Sequence, residues 1–331
     1  MRSSNIHRAL DAAMNSATVV DRSSVGKIRV LGSDALDLLH RLTTNDLLNL
    51  KPHQARTTVF TTDKGRIVDC VRVLVFPDYL LLITSPGQEY LLKNWIDKYT
   101  IMEDVHTSIV SSDWAMFSFV GPSALSMAES FFNVRVTQNS FEEVAHQFGR
   151  MTVEYQAEFG VAFANILVPR EIASQVMTHL TEGQGRLDLL DTNGYECFRI
   201  IWGLPQGGHE LSESFNPYEA GLIHAISFTK GCYIGQEVIA RLDTYQKVQR
   251  RLVGLSFDEN SSPISEMTPL FGESGEVGVL TSLAPVPLHG KRFALGVVRM
   301  DRAAIGDVLL AGGEGSTFKG VVTDSFERRR Q

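Results

Sequence analysis

The residue types best suited to chemistry gather in one segment, Lys230-Gly231-Cys232-Tyr233-Ile234-Gly235-Gln236-Glu237. A thiol acts as nucleophile or metal ligand only as thiolate, and a nearby cation or a helix N-terminus lowers its pKa. Lys230 stands two residues before Cys232. Val238, Ile239 and Leu242 predict a helix over 235–242, which puts Cys232 in a glycine-flanked loop just ahead of that helix's positive end. Gly231 and Gly235 let the backbone approach a ligand closely. The competing reading is that of most free cysteines, a small buried hydrophobe. Cys70, inside an expected strand, and Cys197, between Glu196 and Phe198 on an expected helix, fit that second reading better.

Several common chemistries lack their signatures, and together these absences narrow the field. The chain has no GxxxxGK[ST] phosphate loop and no GxGxxG dinucleotide loop, since Gly207-Gly208 and Gly312-Gly313 lack the spacing. HExxH and GxSxG are absent, and the nine histidines are scattered singly, which gives a metal site no support. A formal charge of -7 argues against sequence-independent nucleic-acid binding. The three cysteines form no CxxC pair and no disulfide framework, as expected in a reducing compartment. No stretch is apolar for long enough to span a bilayer. Residues 1–20 lack the apolar centre of a signal peptide, so a cytoplasmic location is expected. An organellar transit peptide is the alternative, given the weak Arg/Ser character of that segment.

The elements that must position Cys232 follow from periodicity across the 331 residues, enough chain for two or three packed units. A strand is expected over 27–31, then a helix capped by Ser33 and running to Leu42. Strands follow over 57–61, 67–76 and 79–84, the last two forming a hairpin across Pro77-Asp78. A helix over 88–99 carries Leu91, Leu92, Trp95, Ile96 and Tyr99 on one face. Next come a strand over 114–120, a helix over 123–132 capped by Ser123, a strand over 161–168 ended by Pro169, and a helix over 171–180. This irregular alternation with adjacent hairpins predicts an α+β fold. Beyond Tyr245, short strands over 252–257, 277–281, 293–300 and 308–310 separated by Gly, Pro and Ser predict a small β-barrel or sandwich. Lys247-Val248-Gln249-Arg250-Arg251 reads as the hinge, and Arg328-Arg329-Arg330 as a solvated tail.

The stretch KGCYIGQEVIAR over 230–241 resembles the signature of YgfZ-type proteins, folate-binding relatives of the glycine-cleavage aminomethyltransferase, or T-protein. Leu31-Gly32-Ser33-Asp34-Ala35-Leu36 with Leu42-Thr43-Thr44-Asn45-Asp46 is similar to the family's opening helix, and Thr61-Thr62-Asp63-Lys64-Gly65-Arg66-Ile67 to its next turn. Phe198-Arg199-Ile200, Gly203-Leu204-Pro205 and Pro217-Tyr218-Glu219-Ala220-Gly221-Leu222 match the approach to the cysteine motif. Gly275-Glu276-Val277-Gly278 and Ala294-Leu295-Gly296 resemble the C-terminal barrel. The resemblance implies a ring-like folate-binding region over 1–245, with two subdomains meeting near 110, and a barrel over 246–331. It also implies tetrahydrofolate or a derivative as cofactor, and iron–sulfur client or assembly proteins as partners, with tRNA modification downstream. Two departures stand out. Glu158-Phe159-Gly160-Val161-Ala162-Phe163 replaces the aminomethyltransferases' central glycine-tyrosine-threonine-glycine-glutamate stretch, and Ile201 stands where the family usually carries glutamate.

Individual residues then take expected roles. Glu219 offers a carboxylate for the aminopyrimidine edge of a pterin, or an acid favoured at a helix start. Arg199 faces an anionic folate tail or pairs with Glu196. Lys230, Tyr233 and Gln236 of the motif, with Arg241 beyond it, complete the residues expected around the cofactor. Trp202 and Tyr233 are flat enough to stack on a ring or to fill core. Lys64 and Arg66 flank a turn, where exposed charge is the default. Cys232 is expected to hold a transient cluster, form a mixed disulfide or react with a folate-borne one-carbon unit. The second expectation is an aminomethyltransferase in which Asp69 assists methylene release and Cys232 is incidental. The third is a non-catalytic folate-binding scaffold.

Overall fold

The computed structural model describes residues 2–182, 186–244, 248–258, 265–273, 275–313 and 316–323. The expected 245/246 boundary, Lys247 of the expected hinge and the tail residues Arg328, Arg329 and Arg330 lie outside them. The chain starts with α1 (Arg2–Asn15), β1 (Thr18–Asp21), β2 (Val25–Leu31) and α2 (Ala35–Leu42). Then follow β3 (Ala55–Thr61), β4 (Ile67–Val75), β5 (Leu80–Pro86), α3 (Glu89–Tyr99) and β6 (His106–Ile109). The next stretch holds β7 (Trp114–Val120), α4 (Ala124–Phe132), β8 (Ser140–His146), β9 (Gly149–Glu158) and β10 (Val161–Pro169). After it come α5 (Ala173–Glu182), β11 (Leu189–Leu190), α6 (Thr192–Trp202) and α7 (Gln236–Thr244). The last part comprises β12 (Arg250–Asp258), β13 (Pro269–Gly272), β14 (Gly275–Leu283), β15 (Lys291–Arg299), β16 (Val308–Gly313) and β17 (Ser316–Thr323).

Two sheets face each other. The first runs β3-β4-β5-β2-β6 and the second β11-β1-β7-β10-β9-β8, with β1–β11 the one parallel pair among the described residues of either. The outer face of the first is covered by α2 and α3, through Leu38, Leu39, Leu42, Leu92 and Ile96, all buried. The second is covered by α4 and α5 through Ala124, Ala128, Phe132, Val176 and Leu180. Between the sheets, Val25, Leu74, Phe76 and Ile83 meet Met116, Phe141 and Leu167. Strands β12–β17 close a six-stranded barrel in the order β12-β15-β14-β13-β16-β17. The fold is thus α+β with a C-terminal β-barrel, as expected from the sequence.

Some local expectations change. Ser33 does not cap α2; its N–H and Oγ bind Asp104 at 3.0 and 3.1 Å, and the helix starts after Asp34 with no side-chain cap. Leu91 is turned to solvent, 47% exposed, while α3 presses Leu92 and Ile96, with Trp95 and Tyr99 partly buried beside them, onto the sheet. Strands β1, β6, β8, β9, β11, β13 and β17 and helix α1 had no strong periodic signal.

Helix α6 joins the parts. Asp191 caps it by accepting the Gly194 N–H at 2.8 Å, and Gly203, at φ 63°, ends it in the left-handed conformation that favours glycine. Its apolar side joins a core with α1 and with Leu252, Ala284, Leu295 and Val297 from the barrel side. Arg199, 1% exposed, adds a polar joint. It donates to Glu196 (Nε–Oε2 2.7 Å), to Ser282 Oγ at 2.9 Å and to Leu204 O at 3.3 Å, and pairs with Glu210 at 3.4 Å. Glu210, fully buried, also accepts from Thr281 Oγ1 and Ser282 Oγ, each at 2.6 Å, and from the Gln206 N–H at 3.1 Å. Removing one partner from such a network leaves a buried charge uncompensated. Glu210→Ala should therefore lower the unfolding free energy by about 3–5 kcal/mol in urea denaturation. A loss below about 1 kcal/mol would mean that Arg199 is matched without it.

Candidate functional site

A cavity of about 390 Å³ lies between the two sheets, with α6 and the 204–222 segment along its other sides. The first sheet supplies Thr57, Cys70, Arg72 and Ser85; the second supplies Glu154, Glu158, Phe163 and Asn165. Tyr195, Glu196 and Arg199 enter from α6, and Phe159 from the β9–β10 turn. Phe159 holds φ at 56°, a conformation that bulky residues avoid, and its ring packs edge-on against His224 at 4.4 Å. The stretch replacing the aminomethyltransferases' central motif therefore brings an aromatic ring and a carboxylate to the cavity.

The cavity's polar wall is internally matched. Arg72 donates to Glu154 at 2.6 Å and to Glu158 at 3.0 Å, and also reaches Thr57 Oγ1 and Asn139 Oδ1. Asn165 Nδ2 donates to the second Glu154 oxygen at 2.6 Å and its Oδ1 accepts from Ser118 Oγ. None of these contacts was legible beforehand, because Arg72 and Glu154 are 82 positions apart on different sheets.

Asp69, on β4, is fully buried just behind this lining. Its carboxylate accepts from Ser85 Oγ at 2.6 Å and from the Ser85 N–H at 2.9 Å. Burial pushes the Asp69 carboxyl up to about 6, against the opposing pull of those Ser85 bonds and the Cys70 N–H. Cys70 lines the cavity, and burial, with Asp69 and Glu158 nearby, raises its thiol well above the usual range, so it stays protonated.

The Cys232 loop lies elsewhere. Cys232 is exposed and is not among the residues that line the central cavity. Its loop is held on both sides. Lys230 Nζ donates to Thr43 O at 2.6 Å, to Asn45 O at 3.0 Å and to His40 O, closing off the C-terminal end of α2. The ammonium also stands 4.9 Å from the centre of the Tyr233 ring. Burial brings Lys230 down to about 8, with Asp46 opposing the shift. Beyond the cysteine, the Ile234 N–H donates to Arg41 O at 3.1 Å and Ile234 O accepts from Thr61 Oγ1 at 2.6 Å. Gly235 has φ +83°, and a Cβ there would stand 2.4 Å from Thr62 O, so only glycine lets the loop close on the β3–β4 turn. Helix α7 follows at once, as the apolar spacing predicted.

The other expected site residues divide between these places. Arg199 faces the cavity but is engaged by Glu196 and Glu210. Glu219 lies outside the cavity lining. It accepts the Asn216 N–H at 3.0 Å, pairs with Arg250 at 2.8 Å and Arg66 at 3.5 Å, and so ties the start of β12 to the 216–219 turn. Tyr233 and Gln236 line a shallow outer depression with Asp63 and Tyr99. Arg241 pairs on the surface with Glu237. Trp202 packs away from the cavity, its Nε1 3.0 Å from Met14 Sδ, and Ile201 joins the same core. Lys64 is exposed. Among the described residues, no group of three or more His, Cys, Asp or Glu is placed to hold a metal ion, and no helix is long and apolar enough to cross a membrane.

Two facing sheets around a cavity, with a closed barrel docked on α6, define the aminomethyltransferase fold. Residues 2–230 match the GCVT N-terminal domain and residues 250–326 the glycine cleavage T-protein C-terminal barrel domain, so the chain belongs to that family. It is similar to a chloroplastic protein of Arabidopsis thaliana named as a transferase, at 31% identity over 97% of this chain and 73% of that one. An aminomethyltransferase of Koribacter versatilis is 28% identical over 87% of this chain and 78% of its own. The crystal structure of the glycine cleavage system aminomethyltransferase T from Bartonella henselae has the same fold. It gives a TM-score of 0.79 at 20% identity over 96% of this chain and 88% of that one.

Asp69 yields a pH prediction. A carboxyl whose pKa is higher folded than unfolded binds its proton more tightly in the native state. The stability it contributes is present below the unfolded value of 3.8 and is lost as pH rises through about 6. The stability of the wild type relative to Asp69→Asn should therefore fall by about 2–3 kcal/mol between acid and neutral pH, measured by denaturation across that range. A difference independent of pH would remove the raised carboxyl from the account.

Proposed function

We propose that this protein is a YgfZ-type accessory protein. It binds tetrahydrofolate or a derivative in the central cavity and presents Cys232 to iron–sulfur client or assembly proteins, through which it supports tRNA modification. The cavity suits such a cofactor. Its volume is in the range of small-molecule sites, and Phe159, Phe163 and Tyr195 offer aromatic faces. Bound there, the folate would supply one-carbon chemistry or report on cofactor supply. The chain's own residues would enclose its ring and order its polar edge.

The observation that carries this reading is the placement of the thiol. Cys232 is exposed on a loop clamped by Lys230 before it and Ile234 after it, and it is absent from the cavity lining. That placement favours reaction with a partner protein over reaction with a one-carbon unit inside the cavity. A cluster held transiently at Cys232 would take its other ligands from that partner. The sequence's cysteine usage fits a reducing compartment, cytoplasmic or organellar.

Complementation tests the reading. In cells depleted of this protein, Cys232→Ala should fail to restore iron–sulfur enzyme activity while the purified variant binds tetrahydrofolate as the wild type does. Full rescue by Cys232→Ala would reject the role of the thiol.

One observation favours a second reading, a folate-dependent aminomethyltransferase. Asp69 has the raised pKa of a general acid or base and is hydrogen-bonded to Ser85, which lines the cavity. Methylene transfer from a lipoyl-carrier substrate, lowered by roughly 100-fold or more in Asp69→Asn, would promote that reading. No transfer by the wild type would dismiss it.

A further inference from the structure

Most charged side chains facing the central cavity are spoken for. Arg72 is matched by Glu154 and Glu158, and Arg199 by Glu196 and Glu210. Arg22 differs. It follows β1, lines the cavity and is only partly exposed, yet it enters no ion pair or side-chain hydrogen bond among the described residues. Its guanidinium instead stands over two aromatic rings that line the same cavity, 5.6 Å from the centre of Phe163 and 5.5 Å from that of Tyr195. Its backbone N–H is fixed by Met116 O at 2.8 Å.

A guanidinium held over ring faces keeps its planar donor fork free for an anion. Stacking fixes its orientation without consuming its N–H groups, and carboxylates match the fork with two parallel hydrogen bonds. The neighbouring rings extend an apolar wall alongside, so the site suits an anion joined to a flat aromatic group. We infer that Arg22, oriented by Phe163 and Tyr195, is the specificity-determining residue of the central cavity and receives a carboxylate joined to a flat aromatic portion of its ligand. This rests on the folate reading, in which that portion is the benzoylglutamate arm, and it moves the anion contact expected of Arg199 to a residue with free donors. Arg22 had no motif to mark it; only the packing of β1 against β7 and the placement of α6 beside them bring it to the cavity.

Calorimetric titration of wild type, Arg22→Gln and Arg22→Lys with three probes tests this. The probes are tetrahydrofolate, p-aminobenzoylglutamate and a tetrahydropterin lacking the arm. Arg22→Gln should weaken tetrahydrofolate and p-aminobenzoylglutamate by about tenfold or more and leave the tetrahydropterin unchanged, with Arg22→Lys intermediate. Loss below about tenfold for the two acids, or equal loss for all three probes, would overturn the assignment, the latter because Arg22 would then act through cavity shape. Arg22-dependent binding of p-aminobenzoylglutamate without binding of tetrahydrofolate would keep the anion site and reject the folate reading. Binding of neither acid by the wild type would reject both.

Discussion

A buried guanidinium is the constraint on which the parts depend. Arg199 is almost wholly removed from water, and a charge so placed must be matched or the chain will not fold around it. Glu196 matches it from one turn back along α6, Glu210 from the following loop, and Ser282 from the barrel. One residue thereby fixes where the 204–211 segment lies, how the barrel seats against the helix, and which face of α6 turns to the cavity. The expectation that Arg199 faces an anionic ligand treated it as available. Its local pairing with Glu196, the alternative read from their spacing, is the one present, and the buried Glu210 adds to it.

The same economy separates the two sites. Lys230 stands close to Cys232 in sequence, which suggested a cation acting on the thiol, but its ammonium is directed at the carbonyls that end α2. A helix C-terminus carries unsatisfied carbonyls and partial negative charge, so a buried lysine there is stabilised by the backbone. What Lys230 does for Cys232 is positional. With Ile234 and Gly235 on the other side, it holds a glycine-cysteine step out into solvent at the start of α7. The cavity is built from other strands. Its carboxylates are already paired, which leaves aromatic faces and the single stacked guanidinium of Arg22 to choose the ligand.

Much of this was legible in the sequence, and the exceptions have physical reasons. Helix α7, the β4–β5 hairpin and strands β7 and β10 follow from apolar period and turn residues. The loop position of Cys232 needed only two glycines and a helix start. Strand β13, with Pro and Gly at its ends, and strand β17, with Ser and Thr at one end, lack alternation because barrel closure, not their own pattern, pairs them. The β8 strand SFEEVAH shows mostly a half-exposed edge, so little hydrophobic signal survives. The polar cavity wall could not be foreseen, since Arg72, Glu154 and Asn165 belong to strands from different sheets. Glu219 looked like a pterin ligand for its residue type, and its pairing with Arg250 depends on where β12 starts.

The central cavity and the exposed Cys232 are separate places on one chain. Residue-resolved alkylation tests that separation most directly, following Cys232 by mass spectrometry with and without tetrahydrofolate at a concentration that saturates the protein. The rate at Cys232, which lies outside the cavity lining, should be unchanged. Protection of Cys232 by the folate would contradict it.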